Sequence, residues 1–256
     1  MKTARSTDDQ VDARYHALFR IGGIAFILTG VAYFTCLAIT YMIPASSSDA
    51  AAYLRSTGGK VGVVTALWVV YMVSDLLLVP GLLALYMVLK ERSRALLLIG
   101  TALVAGYLVF DLGMTEPNWL ALAGLAHGYA STTGAAQPSY VAAAQYGLAL
   151  VPVLNFLSFA VSGAGFLLIS IVMLRSTFRR RTAVFGIAVM SLSLVASTSW
   201  FVPFLGSTVF AVLGAFGLWC VVVGGQMYRL GSRIGNRAAA EARFATGVTP
   251  RAAGVA

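Results

Sequence analysis

Residues 61–89 read VGVVTALWVVYMVSDLLLVPGLLALYMVL and hold a single charge, Asp75. About 20 consecutive apolar residues cross a bilayer as a helix, so this run predicts a membrane span. A carboxyl at bilayer depth costs about 2.5–3.5 kcal/mol on insertion scales, and such acids have a partner or a task. Asp75 therefore marks both the class of the protein and the first place to look for a polar site.

The rest of the chain agrees with that class. It is 59% hydrophobic and only 11% charged, against about 25% charged in soluble domains. A net charge of +9 would suit nucleic acid only if the cations formed a patch on a soluble face. Here they fall between apolar runs, so no nucleic-acid partner is expected and the bilayer is the partner implied. The first run is preceded by Asp8, Asp9 and Asp12 and exceeds a signal-peptide core, so it is read as an uncleaved helix.

Run length predicts an all-α, polytopic helical bundle with six transmembrane spans, at about 21–43, 61–89, 95–115, 149–174, 183–204 and 206–228. Residues 1–20 form a leader and residues 229–256 a basic tail, whose Ala-, Gly- and Arg-rich composition is expected to be disordered. Pro203 and Gly206 supply a tight turn between the last two spans.

Loop charges test the count. Lys2, Arg5, Arg14, Arg20, Lys90, Arg92, Arg94, Arg175, Arg179, Arg180, Arg181, Arg229, Arg233, Arg237, Arg243 and Arg251 all fall on one side. Only Arg55 and Lys60 fall on the other. Basic flanks stay cytoplasmic, so both termini are expected inside, in a bacterial inner membrane. In the first outer loop, Ser47 or Ser48 can cap a short helix. In the second, Thr115-Glu116-Pro117 reads as a helix start, and NWLALAGLAHGYA as an interfacial helix anchored by Trp119. From Tyr140 to Leu174 the apolar run exceeds the membrane, which predicts outward projection or a kink at Pro152.

Three acids lie in or at the membrane: Asp75, Asp111 and Glu116. Asp75 is about 21 Å along its helix from Val61, and Asp111 about 24 Å from Ala95. Their surroundings share the pattern Y-[ML]-V-x-D-L, at Tyr71–Leu76 and Tyr107–Leu112. A residue four before another shares its helix face. Trp68, Tyr71 and Asp75 then form one stripe, and Tyr107, Asp111 and Thr115 a second. Facing each other, the stripes would line an outward-facing pocket containing Asp75, with Glu116 at its mouth and the Asn155 amide from the fourth span. Two roles are open to Asp75: a protonatable group for coupling, or a structural hydrogen-bond node.

Other chemistries lack their residues. His16 and His127, both outside the spans, cannot supply paired haem ligands, a zinc site or a serine-protease base. Ser162-Gly163-Ala164-Gly165 is better explained as a small-residue helix contact than as a nucleophile motif. No lysine within a span can form a Schiff base, and no phosphate-binding glycine loop is present. Cys36 and Cys220 read as small buried side chains, not a disulfide. No metal site and no cofactor are expected. An intramembrane aspartyl protease, which needs two carboxyls in register, is a remote alternative because the estimated depths of Asp75 and Asp111 differ.

One resemblance can be drawn. Ser48-Asp49-Ala50-Ala51, Asp75, Lys90, and Arg180-Arg181 leading into Phe185-Gly186-Ile187 resemble the DUF4386 family of bacterial six-span membrane proteins, over roughly residues 15–230. The resemblance implies a six-span fold and no activity.

The expected function is small-solute or proton-coupled transport, with no enzymatic activity. The alternative is a sensor or assembly subunit. In that case the small-residue faces at Gly22, Gly23 and Gly30, or at Gly214 and Gly217, would pack against a membrane protein partner or a second copy.

Overall fold

The computed structural model describes residues 15–43 and 49–245. Most of the leader, Ser47, Ser48 and the end of the tail lie outside the described residues. Within them the chain is helical and contains no strand. The helices are α1 (His16–Thr40), α2 (Ala50–Gly58), α3 (Val61–Leu89), α4 (Arg94–Phe110), α5 (Glu116–Ser131), α6 (Gln137–Met173), α7 (Arg180–Ala196) and α8 (Gly206–Ala245). A single π-helical turn, Asp111–Thr115, joins α4 to α5 without a break. Six helical runs are long and apolar enough to cross a bilayer, and α4 with α5 counts as one of them.

In lipid the driving force between helices is close packing, which small residues permit. α1 and α8 make the most extensive contact in the molecule. A Cβ on Gly23 would lie 2.7 Å from the Gly224 carbonyl oxygen. α4 and α6 meet in the same way, a Cβ on Gly100 falling 2.9 Å from the Gly165 carbonyl oxygen. The faces of Gly22, Gly23 and Gly30 are thus filled internally, by Ala84, Gly224 and Gly217. The expectation that they wait for a partner is corrected.

The basic segments converge on one end of the bundle. Lys90 lies over the Tyr15 ring at 5.5 Å and Arg20 over Tyr228 at 5.7 Å. The Arg179 backbone N–H donates to the Gln226 side chain at 3.1 Å. The alternation inferred from loop charge is therefore the alternation of the fold.

Four boundaries differ from the sequence reading. α1 starts at His16, inside the supposed leader, because Phe19 is fully buried. α8 continues through Ala245, where a disordered tail was expected. A helix already formed needs no new nucleus, and this stretch is rich in good helix formers. Ile234 is also buried, and Gly231 packs on α1. α6 begins at Gln137, ahead of the expected span start at 149, and continues as helix through Pro152. The fourth correction shapes the site. Residues 116–131 do not lie on the interface, for α5 prolongs α4 and packs on α2, α3 and α6. Thr115 has helical angles and makes no cap. The wide turn spares the ring of Pro117 a clash with the carbonyl four residues back.

α2 is a short helix, as expected, but its cap is Asp49, whose carboxylate accepts from the Ala51 N–H at 3.0 Å. Ala50, Tyr53 and Leu54 pack with Trp119, Leu122 and Ala126 of α5 and Ala144 and Val151 of α6. This small core closes the end of the bundle away from the basic loops. The main core, from Phe19 to Ile234, fills the rest.

Candidate functional site: a three-carboxyl cluster beside a cavity

Asp75 lies on the buried stripe of α3 with Leu78 and Leu82, opposite a stripe of exposed Val69, Val73, Leu76, Val79 and Leu83. Helical spacing alone produces this split. The hydroxyl of Thr29 on α1 donates to the Ser74 carbonyl at 3.3 Å, which pins the rotation of α3 beside Asp75.

The second copy of the repeated pattern supplies the partner of the first. The Tyr107 hydroxyl lies 3.1 and 3.0 Å from the two oxygens of Asp75 and donates its one proton to them. Asp111 accepts from the Ser158 hydroxyl of α6, and Ser158 is 3.2 Å from the Thr115 hydroxyl. Tyr71, which shares a helix with Asp75, instead packs edge-on against Tyr33 and beside Trp68.

Carboxyl oxygens of Asp75, Asp111 and Glu116 all lie within 4.8 Å of one another. The expected depth mismatch does not arise, because both helices must be measured from their shared loop. Asp75 is about 21 Å from the α3 terminus at Leu89, and Asp111 about 26 Å from the α4 start at Arg94, less than one turn apart. Glu116 joins them through the π-turn. Five residues on an α-helix turn a side chain about 140° away, whereas here the Glu116 N–H bonds to the Asp111 carbonyl and the two side chains share a face.

A cavity of about 270 Å³ borders the cluster, at the lower edge of the roughly 300–1,000 Å³ common for ligand pockets. Its wall includes Trp68, Tyr71, Tyr107, Asp111, Thr115, Glu116, Asn155 and Ser158. It extends to Thr40, Trp200 and Phe210, at the end away from the basic loops. The lining is otherwise aromatic and aliphatic, with Trp68 stacked on Trp119 at 4.8 Å and 9°. Among the described residues no Lys, Arg or His lines it.

Two expectations about the acids need correction. Asp75 is 1% exposed and is not part of the wall, which includes its hydrogen-bond partner Tyr107. Glu116 is not at a wet mouth: it is 1% exposed, and neither carboxyl oxygen has a hydrogen-bond partner in the protein. Trp119 is likewise buried, not an interfacial anchor. Asn155 does reach the wall, with its amide donating to the Val151 carbonyl at 2.9 Å. Cys36 and Cys220 are both free and buried.

Sequence reasoning missed Ser158, Tyr33 and Trp200. Asn155, Ser158 and Ser162 recur at helical spacing along α6, a polar stripe in an apolar helix that could have flagged Ser158. Nothing in the sequence announced the π-turn except Pro117 directly after Glu116.

No family model, curated protein or solved structure matches this chain. Function is therefore read from the chemistry of the site itself.

Proposed function

We propose that this integral membrane protein carries a small solute across a bacterial cytoplasmic membrane with protons as the coupled ion, and that Asp111 and Glu116 meet the solute while Asp75 and Tyr107 stand behind them. The observation that carries this reading is the convergence of three carboxyls at the deep end of a cavity. Two like unit charges within 4.8 Å of each other repel by about 3.5 kcal/mol or more at an effective dielectric constant of about 20. Three such charges with no basic neighbour are not held together for stability. Protons or a cationic ligand neutralise them, and a site that exchanges one for the other is a coupling site. The basic-loop asymmetry supports cytoplasmic termini and hence a cavity open to the outside. The DUF4386 resemblance fits this layout and supplies no activity.

A second reading, intramembrane proteolysis, draws on the approach of Asp75 to Asp111. It requires a peptide bond to reach both carboxyls. Tyr107 occupies both oxygens of Asp75, which favours binding over bond cleavage. Purified protein in vesicles, given a panel of labelled cationic, neutral and anionic solutes with and without a pH gradient, tests the proposal. Gradient-dependent uptake by wild type, reduced at least tenfold in Asp111→Asn, is expected. Absence of uptake for every class, or uptake indifferent to the substitution, contradicts it.

A further inference from the structure

Eight buried side-chain polar atoms among the described residues have no protein hydrogen-bond partner, and four of them belong to residues of this one cavity wall. They are both carboxyl oxygens of Glu116, the indole Nε1 of Trp119 and the indole Nε1 of Trp200. Buried polar groups in proteins are as a rule paired, and pairing matters most where lipid replaces water. These four atoms are buried from the cavity as well as from solvent, so a ligand reaches them by displacing side chains of the wall, and their missing partners describe its complement.

That complement has a definite chemistry. An unpartnered carboxyl beside a second one, Asp111, calls for a positively charged donor. Trp68 is stacked on Trp119 and lies beside Tyr71, and the aromatic wall they form suits a cation whose charge is spread over C–H or N–H groups. Two indole N–H groups call for an acceptor oxygen on the same molecule. The volume and the apolar lining exceed what a bare metal ion needs. A hard metal ion would also ask for oxygen ligands around it, whereas most of this wall is carbon.

We infer that the cavity binds a small organic ammonium ion, its nitrogen at Glu116 and Asp111, its carbon atoms on the tryptophan and tyrosine faces, and an acceptor group at the indole N–H groups. The inference rests on the reading of the cavity as a solute site and names the solute class. Because protons and the ammonium compete for the same carboxyls, binding releases a proton to the cavity, and the two travel in opposite directions. Asp75 stays bonded to Tyr107 and takes no direct part.

Calorimetric titration of the purified protein in nanodiscs tests this, with n-propylammonium, tetramethylammonium, ethanolammonium, n-propanol, propionate and Mn²⁺ as probes. Binding of the ammonium ions is expected, with proton release seen as a buffer-dependent enthalpy. Ethanolammonium should bind more tightly than n-propylammonium. Glu116→Gln should weaken ammonium binding at least tenfold while circular dichroism stays unchanged, and Asp111→Asn provides a second variant should the first not fold. Equal binding of n-propanol or propionate overturns the inference, as does ammonium binding unchanged in both variants. Mn²⁺ binding that is lost in Glu116→Gln and not displaced by ammonium also overturns it and makes the cluster a metal site. Ammonium binding without vesicle uptake would leave this inference standing and remove the transport reading. Carboxyl-dependent uptake of a neutral solute alone would do the reverse.

Discussion

Tyr107 and Glu116 both line the cavity and call for opposite outcomes on substitution. Tyr107→Phe removes the hydroxyl that donates to Asp75 and leaves a buried carboxyl without it. An unsatisfied buried group costs about 1–3 kcal/mol, so the variant should melt earlier in detergent. Asp75→Asn keeps an acceptor for the same hydroxyl and should fold nearly as well as wild type, whereas Asp75→Leu should not. Equal melting of all three would show that this hydrogen bond is not part of the fold. Glu116→Gln removes an unpaired carboxyl from a cluster of three, so its melting temperature should match or exceed that of wild type while ligand response falls. The sequence made Asp75 conspicuous because it stands alone in an apolar run. It hid that Glu116 is the unpartnered member, because partnership belongs to tertiary contacts and Thr115-Glu116-Pro117 reads as the start of a separate outer helix.

At the scale of elements, helix identity was legible and helix continuity was not. The apolar run at 61–89 is α3 to the residue, since composition alone decides where a buried helix can exist. The join of α4 to α5 escaped because Thr-Glu-Pro is the usual signature of a helix start, and a π-turn accommodates the same residues with no break. A π-turn amounts to one extra residue in an α-helix. A Cβ at Gly113 would touch nothing within 4 Å, so deleting Gly113 should restore α periodicity and swing Glu116 and Trp119 about 100° off the cavity. The expected result is a folded six-helix protein with no ligand response, and a retained response would contradict the role given to the turn. The α1–α8 contact is tested at Gly23, where any side chain meets the Gly224 backbone. Gly23→Leu should destabilise by at least about 2 kcal/mol through overpacking, while Gly225→Leu, in open space, should not. Equal melting temperatures would sink the close-packing argument.

At the scale of the molecule, charge asymmetry and run length sufficed for six spans, because the bilayer imposes length on every helix and sixteen of the 18 Lys and Arg residues fall in sequence before, between or after alternate apolar runs. Reporter fusions after Ala245 and after Thr132 should report cytoplasmic and external locations respectively, and an external signal after Ala245 would overturn the orientation. What six spans enclose was not legible, since a cavity arises from how helices cross. The proposal stands or falls on whether the cavity opens externally, gives a solute access to buried Glu116 at its deep end and favours cations. The most direct measurement is thiol labelling of Glu116→Cys in right-side-out vesicles, with the buried Cys36 and Cys220 replaced by alanine and lipid-facing Val109→Cys as control. A membrane-impermeant cationic thiosulfonate should label Glu116→Cys from outside, and at least tenfold faster than its anionic counterpart, because Asp111 and Asp75 remain beside it. No labelling above the Val109→Cys level, or equal rates for the two reagents, would contradict the account.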